Sequence, residues 1–244
     1  MKALTFSRRN IKEILRDPLS FVFGLGFPVI LIVLISIMER SIPGMGAAGI
    51  YDIDSFAPAM AVFGLSFVSL FMGMLISGDR SSSYLMRLFA TPMRVTDYII
   101  GYSLPMLPLG IAQMVICFIT ALFFGMNISV NILFSVAALI PSALLFIAIG
   151  MLIGTAFVGP QVSGIGSVVI NIAAFLSGAW FPLDIMEGTF RDICYALPFA
   201  HSVDAAQNAL SGSGNIAVHL LVVLSYTAVI FLAAIVLFKK KMKG

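Results

Sequence analysis

The sequence predicts an all-α membrane protein: six transmembrane helices, an N-terminal amphipathic helix lying in the membrane plane, and an amphipathic or re-entrant outer segment before the sixth helix. Three observations point there. Of 244 residues, 60% are apolar and only 10% charged, whereas a soluble domain carries about a quarter charged residues. The apolar residues gather into runs long enough to cross a bilayer, which takes about 20 residues at a rise of about 1.5 Å each. The basic residues are also one-sided. Lys2, Arg8, Arg9, Lys12, Arg16, Arg80, Arg87, Arg94, Lys239, Lys240, Lys241 and Lys243 fall on one side with four acids, leaving Arg40 and Arg191 opposite with seven acids. Positive residues accumulate in cytoplasmic segments, so both termini are expected in the cytoplasm. The net charge of +3 is then a topology signal and not a nucleic-acid footprint.

Residues 1–18 place Leu4, Ile11, Ile14 and Leu15 on one helical face, with Lys2, Arg9, Lys12, Glu13 and Arg16 on the other. Asp17-Pro18 ends the pattern. Such a helix lies flat with Arg8, Arg9, Lys12 and Arg16 near anionic headgroups. The blander alternative is a basic flank with accidental periodicity. The spans expected within residues 19–238 are Leu19–Met38, Phe56–Ile76, Tyr98–Phe124, Ile132–Gly154, Val162–Trp180 and Ile216–Phe238. The first exceeds a signal-peptide core and reads as a retained span. Pro105 and Pro108 kink the third. Gly150 and Gly154, with Gly159, Gly164 and Gly166, allow close helix approach, within the monomer in one reading and at a dimer seam in the other. Residues 239–244 form a basic cytoplasmic tail, and the whole chain reads as one membrane domain.

The stretch Gly78–Gly101 between the second and third spans is long. Ser81, Ser82 and Ser83 offer N-cap hydroxyls to a short helix showing Tyr84, Leu85 and Leu88 on one face, with Arg80 and Arg87 at its rim. Thr91 and Pro92 restart the chain as cap and first helical residue. Either those apolar residues dip into the interface or a cytoplasmic partner covers them. The outer segment enters through Trp180, Phe181 and Pro182, then carries a stripe of Met186, Phe190, Ile193, Cys194 and Leu197 between Pro182 and Pro198. It lies in the outer interface or dips back into the leaflet. Cys117 sits in a span and Cys194 outside, which argues against a mutual disulfide. Within the spans the polar groups are few. Gln113 and Asn171 are either a candidate substrate path or interhelical glue. His219 is the one imidazole in a span, and no Asp, Glu, Lys or Arg lies inside one, which argues against a proton- or sodium-coupled carrier.

These pieces, in order and on matching membrane sides, resemble the ABC-2 type transporter permeases, most closely the bacterial drug-export branch, over essentially the whole chain. Arg87-Leu88-Phe89-Ala90-Thr91-Pro92 with Tyr98-Ile99-Ile100-Gly101, Leu176-Ser177-Gly178-Ala179-Trp180-Phe181-Pro182-Leu183, and Pro198 with Val203-Asp204-Ala205 carry the likeness. Ser81-Ser82-Ser83 departs from it, standing where the family often has an acidic residue and a glycine.

The resemblance implies a transport subunit of the plasma membrane, with residues 19–238 as the permease core. A separate ABC ATPase would bind ATP and Mg and dock on a coupling helix at Tyr84, Leu85, Arg87, Leu88, Thr91 and Pro92. A second permease copy, identical or related, would complete the assembly. The resemblance implies export of a hydrophobic or amphiphilic compound by alternating access. The chain itself lacks G-x-x-x-x-G-K-[ST] and so carries no phosphate-cradling loop of that pattern.

Two rival readings are a non-transporting scaffold or sensor and an intramembrane hydrolase. For the hydrolase, Ser142 and His219 enter their spans at depths differing by roughly 10 Å, too far for a hydrogen bond of about 3 Å. H-E-x-x-H is absent, and no metal site is expected.

Overall fold

The computed structural model describes residues 2–18, 22–42, 51–82, 84 and 93–243 and, among these, contains helices and turns but no strand. Helix α1 (Lys2–Ile14) is followed by a π-helical turn, Val22–Gly26, that runs into α2 (Phe27–Ser41). Pro28 accounts for the widened turn, because it has no N–H to offer the carbonyl one turn earlier. Then come α3 (Ile53–Ser81) and α4 (Val95–Phe123). The next span is two pieces, α5 (Asn131–Ala138) and α6 (Ile140–Ala156), parted at Leu139 just ahead of Pro141. Helix α7 (Pro160–Leu176) leads through a 3₁₀ turn, Leu183–Ile185, to α8 (Thr189–Ala196) and α9 (Pro198–Ser211). Helix α10 (Ile216–Lys243) closes the chain.

Among the described residues, five stretches are long and apolar enough to cross a membrane: Val22–Ser41, α3, α4, Asn131–Ala156 and Ile216–Lys241. The chain is thus a multi-pass membrane protein. The remaining expected span, Val162–Trp180, is the shorter α7, which at 17 residues measures about 26 Å against a hydrocarbon core of about 30 Å. It stops at Leu176 because Gly178 takes a left-handed turn, φ +79°, that a side chain would resist. Pro105 and Pro108 lie inside an unbroken α4, as Pro58 does in α3.

Helix α3 is the centre of the bundle. Every residue from Phe56 to Ser69 is buried, and α2, α4, α6, α7 and α9 all pack on it. The closest approach is with α6. A Cβ on Gly154 would lie 2.7 Å from the carbonyl oxygen of Gly73, and one on Gly150 would overlap the Ser69 backbone. These glycines therefore serve packing within the monomer. Helix α10 runs along α6 and α9, and α9 covers α5. Its outer row of Leu221, Leu224, Val229, Leu232 and Val236 is exposed, a surface suited to lipid.

Candidate functional site

At the basic end of the bundle, where α1 meets the ends of α3 and α6 and the start of α4, sits a charge that sequence reasoning overlooked. Asp79, in the last turn of α3, is 1% exposed. Arg9 of α1 grips it with two nitrogens, at 2.6 and 2.7 Å, and the Tyr102 hydroxyl of α4 donates to it at 2.8 Å. Three donors from two other helices satisfy a carboxylate that would otherwise be buried without hydrogen-bond partners. Arg9 also meets Glu13 at 2.7 Å and lies over the Tyr84 ring, 4.3 Å from its centroid. Burial alone would lower the Arg9 guanidinium. Its hydrogen bond to Asp79 and the nearby negative charges outweigh that and hold it above its ordinary range. Burial pushes the Glu13 carboxyl up, with Arg9 opposing and Asp79 adding to the shift.

Why α1 sits there is legible in its side chains. Phe6, Ser7, Asn10 and Ile14 form the buried face, while Leu4, Ile11 and Leu15 are exposed. Phe6 stacks edge-on against Tyr98 and Tyr102, in a space that a side chain at Gly101 would fill. Asn10 donates to the Gly101 carbonyl at 3.0 Å. Of the expected apolar face, Ile14 is buried against the bundle, whereas Leu4, Ile11 and Leu15 point away from it. Arg9 pairs with the buried acid and, together with Arg8, Lys12, Glu13 and Arg16, also lines an open groove along α1.

The neighbour of Asp79 ties in a further helix. Arg80 donates to the carbonyls of Gly154, Thr155 and Phe157 at 3.1, 2.6 and 3.0 Å. These include carbonyls left without intrahelical partners at the end of α6. The Gly159 N–H donates to Ser77 Oγ at 2.7 Å, seating the start of α7 on α3. Ser81 and Ser82 donate back to the carbonyls of Gly78 and Asp79 at the end of α3. Met93 and Arg94 are non-helical, and α4 starts at Val95 with Asp97 accepting from the Arg94 N–H at 2.9 Å. A helix begun at Pro92 therefore does not run on into α4. Leu85, Arg87, Leu88, Thr91 and Pro92 lie outside the described residues.

A second feature opens between the π-helical turn, α3 and α7. It is a groove of about 380 Å³ lined by Phe23, Phe67, Phe71 and Met74, with Asp17, Ser167 and Asn171 as its polar residues. Ser163, Ser167 and Asn171 follow one another at four-residue spacing on an exposed face of α7, a polar stripe on an otherwise apolar helix. Gln113 is elsewhere. It is buried on α4, packs over Gly64, donates to the Cys117 sulfur at 3.3 Å and has no partner for Oε1. The two candidate path residues do not share this groove.

A model of the ABC-2 type transporter matches residues 2–210. The chain belongs to the ABC-2 type transporter family. Nodulation protein J of Rhizobium leguminosarum bv. viciae and of Bradyrhizobium diazoefficiens are each 35% identical to this permease over 78 residues, and that of Rhizobium meliloti is 31% identical over 78 residues. Each match covers 31% of this chain and 30% of the relative, so it spans under a third of those proteins' own length. Membership places the chain in a family of membrane transport permeases.

At the acid-rich end of this ABC-2 permease, Trp180 packs edge-on against Phe63 of α3. Trp180 and Pro182 line a cavity of about 190 Å³ together with Ser55, Tyr195, Asp204 and Gln207. Phe181, Phe190 and Ile193 are exposed, whereas Cys194 is fully buried. The predicted stripe is therefore split: Cys194 turns inward and Phe190 outward. Burial pushes the Cys194 thiol up. Ser142 Oγ is buried without a hydrogen-bond partner, and His219 pairs with His201.

Proposed function

We propose that this permease is the membrane half of an ATP-driven exporter in the plasma membrane. Its basic end and both termini face the cytoplasm, and two permease copies work with two ATPase subunits. The observation that carries the reading is the anchorage of Asp79 and Arg80 immediately before residues 83–92. Asp79 is held by α1 and α4, and Arg80 by the end of α6. A push on that stretch by a docked ATPase would be passed to four helices together, because charge-assisted hydrogen bonds at these distances resist separation. In this proposal ATP-driven closure of the ATPases moves residues 84–92 as a coupling element and switches access to a path lined by α7. The aromatic groove with its Ser167–Asn171 polar edge supports a hydrophobic or amphiphilic cargo.

The test is co-purification. Leu85 and Leu88 should sit in the ATPase groove, each contributing on the order of 1.5–3 kcal/mol of burial. Leu85→Asp/Leu88→Asp should reach the membrane at the wild-type level but lose both its ATPase and export. A variant that keeps its ATPase and exports normally would sink the docking assignment.

A further inference from the structure

At the acid-rich end two histidines meet, and they are the only two in the chain. His201 of α9 and His219 of α10 face each other Nδ1 to Nδ1 at 2.9 Å. The other nitrogen of His201, Nε2, lies 3.0 Å from the Tyr195 carbonyl oxygen, which can only accept. His201 therefore carries its proton on Nε2 and offers a lone pair at Nδ1, and His219 must donate from Nδ1. The geometry thus fixes opposite tautomers on the two rings. Asp204 Oδ2 lies 3.7 Å from the same His219 nitrogen. Other ionisable groups nearby come from α8, α10 and α3. The Tyr195 ring stands edge-on to His201, with Arg191 5.7 Å from its centroid. Tyr226 donates to the Ala196 carbonyl at 2.7 Å, and Asp54 adjoins Ser55 on α3. Helices α5, α6 and α7 carry no ionisable side chain.

The contact has a limited capacity for protons. In the neutral pair one hydrogen lies between the rings. One added proton is accommodated on His219 Nε2, or by reversing the bond, and the Asp204 carboxylate balances its charge. A second puts a hydrogen on each facing nitrogen, so that two donors and two positive charges oppose each other at 2.9 Å. The contact must then open. Because the rings interact, the two protons bind in separate steps belonging to the pair. Neighbouring side chains show what opening releases. Helix α9 is tied on its other side to α3 by Gln207, which donates to the Ser55 carbonyl at 2.9 Å. Asp204 and Gln207 both line the cavity beside Trp180. Helix α5 also holds α9 from behind, Asn131 and Ser135 donating to the Leu210 and Ala206 carbonyls, so losing the histidine contact removes the side-chain tie between α9 and α10 while α9 stays attached to α3 and α5.

We propose that His201 and His219 form a proton-operated latch on this cavity, closed while the pair holds at most one added proton and open when it holds two. The contact contributes stability above the second protonation and loses it as pH falls through that step. On the orientation proposed above, acid outside the cell would open the outer mouth. The latch itself does not rest on that orientation or on the cargo.

Two measurements on the full-length permease in lipid nanodiscs, purified without a histidine tag, test this. ¹⁵N NMR of labelled histidine should show two different tautomers at pH 8, protonated on Nε2 in one ring and Nδ1 in the other, followed by titration in two separated steps. Identical tautomers, or two independent single titrations, would overturn the latch. Trp180 is the only tryptophan, so its quenching by acrylamide reads the cavity directly. The quenching constant should rise at least about two-fold in one step on titration from about pH 8 to about pH 5. His219→Gln keeps an amide donor for His201 Nδ1 and an oxygen to accept from protonated His201. It should match wild type at pH 8 and show no step. A flat wild-type profile, or a step that persists in His219→Gln, refutes the proposal. Should His219→Gln already be altered at pH 8, the tautomer spectrum of the wild type alone decides.

Discussion

Removing Arg9 should strand a charge, and the cost can be worked from the structure. In Arg9→Met the Asp79 carboxylate, 1% exposed, keeps only the Tyr102 hydroxyl. Breaking a buried pair from one side costs about 3–5 kcal/mol. The Arg9 side chain is 34% exposed, so water can reach the vacated space and the lower figure, about 3 kcal/mol, applies. For a chain of this size about 1 kcal/mol moves the midpoint by about 2–4 °C, so Arg9→Met should melt about 6–12 °C below wild type. Adding Asp79→Asn removes the stranded charge while its amide oxygen still accepts from Tyr102. The double variant should therefore recover more than half of the loss, a coupling of about 2 kcal/mol. Thermal unfolding of the four purified permeases in one detergent measures this cycle. If the two losses simply add, Arg9 and Asp79 are not energetically joined and the junction does not transmit anything. If stability returns in the double variant while export stays low, the pair acts in coupling beyond holding the fold.

Three further outcomes are expected. Gly150→Ala should cost about 1–3 kcal/mol, because the new methyl overlaps the Ser69 backbone; an unchanged melting temperature would show that α3 and α6 can part cheaply. Cys194 should react slowly with maleimide near pH 7 in the folded permease, since it is fully buried and burial raises its thiol, leaving little thiolate; the rate should climb with pH, and rapid labelling at pH 7 would contradict the packing of α8. With native cysteines replaced, Arg87→Cys should be inaccessible to an impermeant reagent in intact cells and Asp192→Cys accessible, and the reverse pattern would invert the proposed topology.

The spans were legible because bilayer length and hydropathy leave few choices: α3 and α10 contain the runs expected for them, and α4 covers its run to within one residue, ending at Phe123. What the sequence hid was where those helices stop. Helix α3 continues past Ile76 to Ser81 because Ser77, Arg80, Ser81 and Ser82 all find oxygen or N–H partners there, which hydropathy does not count. Helix α7 ends early because of one left-handed glycine. The close approach of α6 to α3 was readable from Gly150 and Gly154, but the partner surface at Ser69 and Gly73 was not, since small residues mark a contact without naming its other side.

Asp79 shows why the junction was missed. A single acid in a basic flank reads as a solvated charge, and its partner is 70 residues away in sequence. The periodicity of α1 pointed to Leu4, Ile11, Ile14 and Leu15, yet of these only Ile14 is buried, on a face it shares with Phe6, Ser7 and Asn10. In water the more apolar face of a helix is driven inward; beside a bilayer both faces find apolar surroundings, and polar partners decide which one turns to protein. Arg9 and Asn10 are the residues of α1 that can satisfy Asp79 and the Gly101 carbonyl. The same logic places His201 against His219: a polar ring at the end of a span must find a partner, and the partner it finds sets the proton on each ring. In this permease the polar pairings choose the helix faces, and those pairings are what the mutational cycle and the histidine spectra measure.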